Sequence, residues 1–198
     1  MEVTRSFLKK LVIAILFFVL AVFIPAISST YIKENFANPP IVKDLLWEIL
    51  PNIPIMWLSE LFLLASVLYL IIWALKKDIN YIPYAILLYS TFALIRAGII
   101  VLTPLGLPNH YNGLAPIGEE SVFRYGAFPS GHLAYPVLTF LITKSNLILI
   151  FGFVMSLVIL ISRGHYSIDL IGSVLLGFFI FVLAEKYVKK YFIKSKKD

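Results

Sequence analysis

Long runs of apolar side chains, broken only by short polar stretches, constrain this sequence more than any other feature. A bilayer core holds no water to satisfy a backbone N–H or C=O, so an apolar run of roughly 17–25 residues crosses it as a helix. Six runs occur, at 8–27, 53–75, 81–103, 130–143, 147–162 and 165–183. The fourth and fifth are short for a spanning helix and are joined only by Lys144, Ser145 and Asn146, which is the pattern of a tight helical hairpin. The expected fold is all-α: a polytopic membrane protein, one domain over residues 1–198, built as a bundle of six transmembrane helices. Only 14% of the residues are charged, against about 25% in an ordinary soluble domain. The first run is long enough to span and has no clear small-residue cleavage site, so it is expected to be retained.

The net charge of +6 does not point to nucleic acid, because the cations flank apolar runs and form no soluble basic face. They report orientation instead. With the amino terminus inside, the cytoplasmic segments collect Arg5, Lys9, Lys10, Lys76, Lys77, Lys144 and every lysine from Lys186 onward. The outer segments hold only Lys33, Lys43, Arg124 and Arg163, and Arg96 lies within the third run. Both termini are therefore expected in the cytoplasm, with residues 186–198 as a basic, solvated tail. Cysteine is absent, which excludes disulfides, thiolate metal sites and a cysteine nucleophile.

This topology, set by charges elsewhere, brings the three histidines, His110, His132 and His165, to the outer face. Arg96 belongs to the outer third of the third run. In Phe128-Pro129-Ser130-Gly131-His132, proline ends a loop and Ser130 can cap the helix that follows. Gly131 allows close approach to the backbone, and the N–H groups of a helix start favour an anion such as phosphate. In Ser162-Arg163-Gly164-His165-Tyr166-Ser167-Ile168-Asp169, His165 and Asp169 are spaced to share a helix face. Asp169 can hold one ring nitrogen and leave the other free to attack phosphorus. An ordinary capped helix with an interfacial histidine, and a buried His–Asp tie between helices, are the plainer readings. Ionisable groups within membranes are costly, which weighs toward function.

Arg96 needs an anionic partner within its span. A phosphate held in a bidentate fork would serve, and so would a structural ion pair with Glu60 in the second run. Arg163 is placed as a second phosphate clamp or as an interfacial anchor. The outer loop 104–127, rich in proline and glycine, is expected to lie over the site, with Glu119 and Glu120 as possible contacts.

These residues resemble the type 2 phosphatidic acid phosphatase superfamily and, within it, the sphingomyelin synthase-like branch. Pro129-Ser130-Gly131-His132 is similar to the Pro-Ser-Gly-His motif of the phosphatases. His165-Tyr166-Ser167-Ile168-Asp169 resembles the His-Tyr-Thr-Ile-Asp stretch of the synthases, and Arg96, with Thr103 and Pro108 after it, their arginine motif. The resemblance covers residues 96–177, a motif-bearing catalytic core. Tyr89 stands seven residues before Arg96, where the phosphatases carry lysine, and Ser162-Arg163 precedes His165 by one residue where they leave five.

The resemblance implies an integral membrane lipid phosphatase or phosphotransferase that works through a phosphohistidine at the non-cytoplasmic face. His165 would be the nucleophile, Asp169 its orienter and His132 the acid for the leaving oxygen. Arg96, Ser130 and Gly131 would hold the phosphate, with no metal or other cofactor. The partners implied are a membrane lipid phosphate and the bilayer itself. A phospholipid headgroup transferase of the same kind remains open. So do a zinc enzyme using His132, His165 and Asp169 as ligands, and a non-catalytic lipid-phosphate binder or transporter.

Overall fold

The computed structural model describes residues 5–36, 39–106 and 128–193, and among these the chain is helical with no strand. The helices are α1 (Arg5–Asn35), α2 (Leu45–Ile49), α3 (Trp57–Lys77), α4 (Tyr81–Leu102), α5 (Gly131–Thr143), α6 (Asn146–Ile161), α7 (Ser167–Leu183) and α8 (Lys189–Phe192). A π-helical turn, Ala184–Val188, carries α7 into α8 without a break. Four stretches are long and apolar enough to cross a membrane: Arg5–Asn35, Trp57–Lys77, Tyr81–Leu102 and Ser167–Phe192. Gly131–Thr143 and Asn146–Ile161 are apolar but shorter, as their sequence runs suggested.

Side-chain exposure points to lipid as the surrounding medium. Leu16, Phe23, Phe153, Leu175 and Phe179 are each more than half exposed. In water such a continuous apolar surface would drive association, whereas against acyl chains it carries no penalty. The chain is thus an integral membrane protein in character, with several long apolar helices.

Turn chemistry sets the alternation of the helices. Asp78 ends α3, and its Oδ1 accepts from the Asn80 backbone N–H at 2.9 Å, folding the chain straight into α4. The hairpin expected between the fourth and fifth runs is present: Lys144 takes a left-handed conformation at φ 55° and its N–H bonds back to Phe140. Arg163 takes another at φ 54°, which ends α6 and turns the chain toward His165. Gly164 beside it leaves room for Met56; a methyl group there would run into the Met56 sulfur.

Two apolar clusters hold the bundle together. One joins Tyr84, Leu88 and Phe92 of α4 to Leu138 of α5 and Ile180 of α7. The other joins Met56, Leu133, Met155, Ile159 and Leu170. The structure departs from the sequence reading at both ends. α1 is 31 residues long and runs through Pro25 to Asn35, well past position 27. The segment expected to be a solvated tail stays helical to Phe192, which is buried against Tyr84, and Lys189 pairs with Glu185 one turn back.

Close packing brings the segment before α5 onto α7. A Cβ on Gly172 would lie 2.6 Å from the Phe128 ring and 3.2 Å from Pro129 Cβ. Gly172→Val should therefore overpack this joint and cost about 1–3 kcal/mol. Gly98 is exposed with nothing within 4 Å of its Cβ position, so Gly98→Ala should leave stability unchanged or raise it. Thermal midpoints of the two variants in detergent check this, and equal midpoints would contradict the packing.

Candidate functional site

The start of α3, the end of α4, the start of α5, the end of α6 and the start of α7 lie at one end of the bundle, and the chemistry-bearing side chains meet there. Glu60 is in the first turn of α3 and Arg96 in the last third of α4. His132 is the second residue of α5, and His165 and Asp169 flank the start of α7.

Four of these side chains form a line. Asp169 Oδ2 lies 3.2 Å from His165 Nδ1, His165 Nε2 lies 3.4 Å from His132 Nδ1, and His132 Nε2 lies 2.8 Å from Glu60 Oε1. The carboxylates at the two ends assign the protons. Beside Asp169, His165 Nδ1 carries hydrogen, which leaves a lone pair on Nε2. That lone pair faces His132, on the side of the ring away from the Asp169 carboxylate. His132 faces a carboxylate at Nε2 and a lone pair at Nδ1, so its environment accepts hydrogen on both sides.

Asp169 also builds the helix that carries it. Its Oδ2 accepts from the Tyr166 N–H at 2.9 Å, capping the first turn of α7. Asp44 supports the same turn: its carboxylate accepts from the N–H of Leu46 at the start of α2 and of Ser167 at the start of α7. Tyr166 stacks on Trp47, and its hydroxyl donates to the Gly106 carbonyl at 2.9 Å. His165 and Asp169 are thereby buried at 5% and 0% exposure.

The start of α5 is fastened to α7 through its backbone. The Ser130 N–H donates to the Asp169 carbonyl at 3.0 Å, and the Ser173 hydroxyl lies 2.6 Å from the Ser130 carbonyl. Arg96 Nε donates to the Pro129 carbonyl at 2.7 Å. A Cβ on Gly131 would meet Arg96 Nε at 3.8 Å, so the glycine keeps the space beside the guanidinium open.

Most of the residues singled out in the sequence come together here, with three differences. Glu60 meets His132 and not Arg96, because α5 enters beside the first turn of α3. Ser130 occupies the N-cap position, but its side chain caps nothing: fully buried, its Oγ has no hydrogen-bond partner among the described residues. Arg163 turns aside, with Nη2 donating to the Trp47 carbonyl at 3.0 Å, and its described contacts do not join it to the histidines. This follows from its left-handed backbone directly beside Gly164. His110, Glu119, Glu120 and Arg124 lie outside the described residues.

The zinc arrangement is not formed. Asp169 and His132 stand on opposite edges of the His165 ring, and among the described residues no three His, Asp or Glu side chains are grouped to hold a metal. Sequence reasoning passed over Asp44, Gly172 and Ser173. The last two were legible as small residues three and four positions after Asp169, on its face of the helix.

Comparison with protein-family models gives no match, and comparison with curated proteins gives none either.

The idle hydroxyl of Ser130 yields a test. Losing a working N-cap typically costs about 1 kcal/mol. Ser130→Ala should instead leave stability within about 0.5 kcal/mol of the parent. A drop of a full cap's worth in denaturation of the detergent-solubilised protein would show that the hydroxyl supports the helix.

Proposed function

We propose that the chain is a lipid phosphatase or phosphotransferase of the type 2 phosphatidic acid phosphatase kind. It would span the bilayer six times, with both termini in the cytoplasm and the site at the opposite face. The observation that carries this reading is the unbroken line Glu60–His132–His165–Asp169 beside Arg96 and the start of α5. It supplies in one place an oriented nucleophile, a second histidine for proton transfer and a cation for phosphate.

In the proposed reaction the phosphate enters beside Arg96, Gly131 and the unpartnered Ser130 hydroxyl, and the two rings part to admit it. His165 Nε2 attacks phosphorus while Asp169 holds Nδ1 and stabilises the positive charge that develops on the ring. The bond from phosphorus to the lipid oxygen breaks, and His132 gives that oxygen its proton. His132, now a base held in place by Glu60, takes a proton from an incoming hydroxyl as its oxygen attacks the phosphohistidine. Phosphate leaves His165, and both histidines return to their starting states. Water as the acceptor makes the protein a phosphatase; a lipid alcohol makes it a transferase, and a headgroup transferase uses the same residues. Arg163 contributes through the Trp47 segment and not at phosphorus. A non-catalytic lipid-phosphate binder would use Arg96 and Ser130 but leaves the Asp169–His165 alignment without a purpose.

The histidine roles separate when the leaving group changes. An acidic phenol departs as its anion and needs no proton, whereas general acid help to a lipid alkoxide is worth about 10²–10⁴ in rate. His132→Ala should therefore lose far less activity on an activated aryl phosphate than on a lipid phosphate. His165→Ala should be inactive on both and should take no covalent label from a phosphorus-32 substrate. Equal losses by His132→Ala on the two substrates would remove it as the acid, and label on the His165→Ala protein would remove the nucleophile.

Sidedness is open to direct measurement in a chain that has no native cysteine. Lys43→Cys should react with an impermeant thiol reagent from outside intact cells, and Lys77→Cys only after permeabilisation. The reverse pattern would put the site on the cytoplasmic face.

A further inference from the structure

A cavity of about 520 Å³ runs down the bundle between α1, α3, α4 and α5, within the usual range of small-molecule pockets. Its walls are almost wholly apolar, but Arg96 and Gly131 close one end of it, so it is continuous with the proposed phosphate site. Two tyrosines, Tyr89 and Tyr135, also line it, with ring centroids 4.9 Å apart. Their hydroxyls differ. That of Tyr89 is bound to the Thr139 hydroxyl at 2.6 Å, whereas that of Tyr135 makes no hydrogen bond among the described residues. Unlike the enclosed hydroxyls of Ser90 and Ser130, the Tyr135 hydroxyl also stays open to a partner.

Tyr135 stands near the cationic end of the cavity. Gly131 and Tyr135 are four residues apart on α5, which puts them on one face, about 6 Å apart along the axis. Helical side chains lean toward the N-terminus of their helix, so Tyr135 leans toward the turn that Gly131 leaves bare. A Cβ on Gly131 would itself lie 3.8 Å from Arg96 Nε and 3.9 Å from Arg96 Cζ. The Tyr135 hydroxyl and the guanidinium also act on each other electrostatically. Guanidinium, glycine and phenol thus border one stretch of the cavity. A ligand set against Arg96 and Gly131 meets the phenol within the next helical turn.

An anion in that stretch needs more than one donor. A phosphate monoester presents three strong acceptor oxygens, and taking them out of water requires hydrogen bonds or cations in return. Arg163, the second clamp expected from the sequence, is turned to the Trp47 carbonyl instead. An open phenol beside Arg96 supplies a donor that the site otherwise lacks.

We propose that Tyr135 is a phosphate-binding residue, its hydroxyl donating to an oxygen of the lipid phosphate held by Arg96. This rests on the reading of the phosphate site above. The contact is to the phosphate and not to the lipid backbone or chain, so it serves acyl-linked and prenyl phosphates alike.

Binding is titrated on purified protein carrying His165→Ala, which blocks turnover. The probes are dioctanoyl phosphatidic acid and farnesyl phosphate, each paired with its alcohol, dioctanoylglycerol and farnesol. Tyr135→Phe keeps the ring against Tyr89 and removes a hydroxyl that no hydrogen bond of the described fold uses, so the thermal midpoint should be unchanged. It should weaken both phosphates about ten- to a hundredfold, as loss of a hydrogen bond to a charged group does, and leave both alcohols unchanged. Tyr89→Phe, which removes the neighbouring hydroxyl, should not weaken the phosphates relative to their alcohols. A loss under about threefold on either phosphate, equal losses on phosphates and alcohols, or the same selective loss from Tyr89→Phe overturns the proposal. Turnover by protein with His165 intact is measured separately. Tyr135-dependent phosphate binding without turnover would sink the enzymatic reading and leave this inference standing.

Discussion

Two hydrogen bonds between the residue that opens α5 and the first turns of α7 hold the two histidines at a common site: Ser130 N–H to the Asp169 carbonyl, and the Ser173 hydroxyl to the Ser130 carbonyl. Both act on backbone atoms, so they fix where α5 begins and not merely how one side chain points. His132 follows two residues later and His165 stands four before Asp169, so the separation of the rings follows from this joint. Gly172 permits it by leaving room for Phe128 and Pro129 against the helix. Asp169 serves both needs at once, since its carbonyl anchors α5 while its carboxylate caps α7 and orients His165.

Burial gives this arrangement its energetic meaning. An acidic side chain at 0% exposure is tolerable only with compensating partners. Asp169 has the Tyr166 N–H and the His165 ring on one oxygen, while the other has no partner among the described residues. The Ser130 hydroxyl is in the same position a few residues away in space. Buried polar atoms are seldom left unpaired, and their concentration around one end of the bundle fits a site assembled to receive a polar ligand.

The cavity joins this chemistry to the membrane. Under the proposed function, a phosphate site at the end of such an apolar passage would hold a lipid by its head and its chain together. The short α5 suits this layout. Its first residue lines the cavity beside Arg96, and its second is His132. The passage therefore ends at the proposed reacting groups.

Apolar run length fixed the all-helical, membrane-embedded character of the chain, because backbone groups in hydrocarbon can be satisfied only within each segment. Turn residues placed the α5–α6 hairpin, a local property of the chain; the His165–Asp169 pair was legible from its spacing, but His165 stands before the helix and meets the carboxylate at the cap of α7, not on a shared helix face. The pairing of Glu60 with His132 was decided only in three dimensions. Glu60 and His132 lie 72 residues apart in sequence, and which side chain the carboxylate meets depends on helix rotation and crossing. The turn of Arg163 toward Trp47 depends on a left-handed residue that sequence spacing alone does not reveal. The idle hydroxyls of Ser90 and Ser130 were equally hidden. Serine in a sequence carries the capacity for a hydrogen bond, but only the packing around it determines whether a partner is within reach.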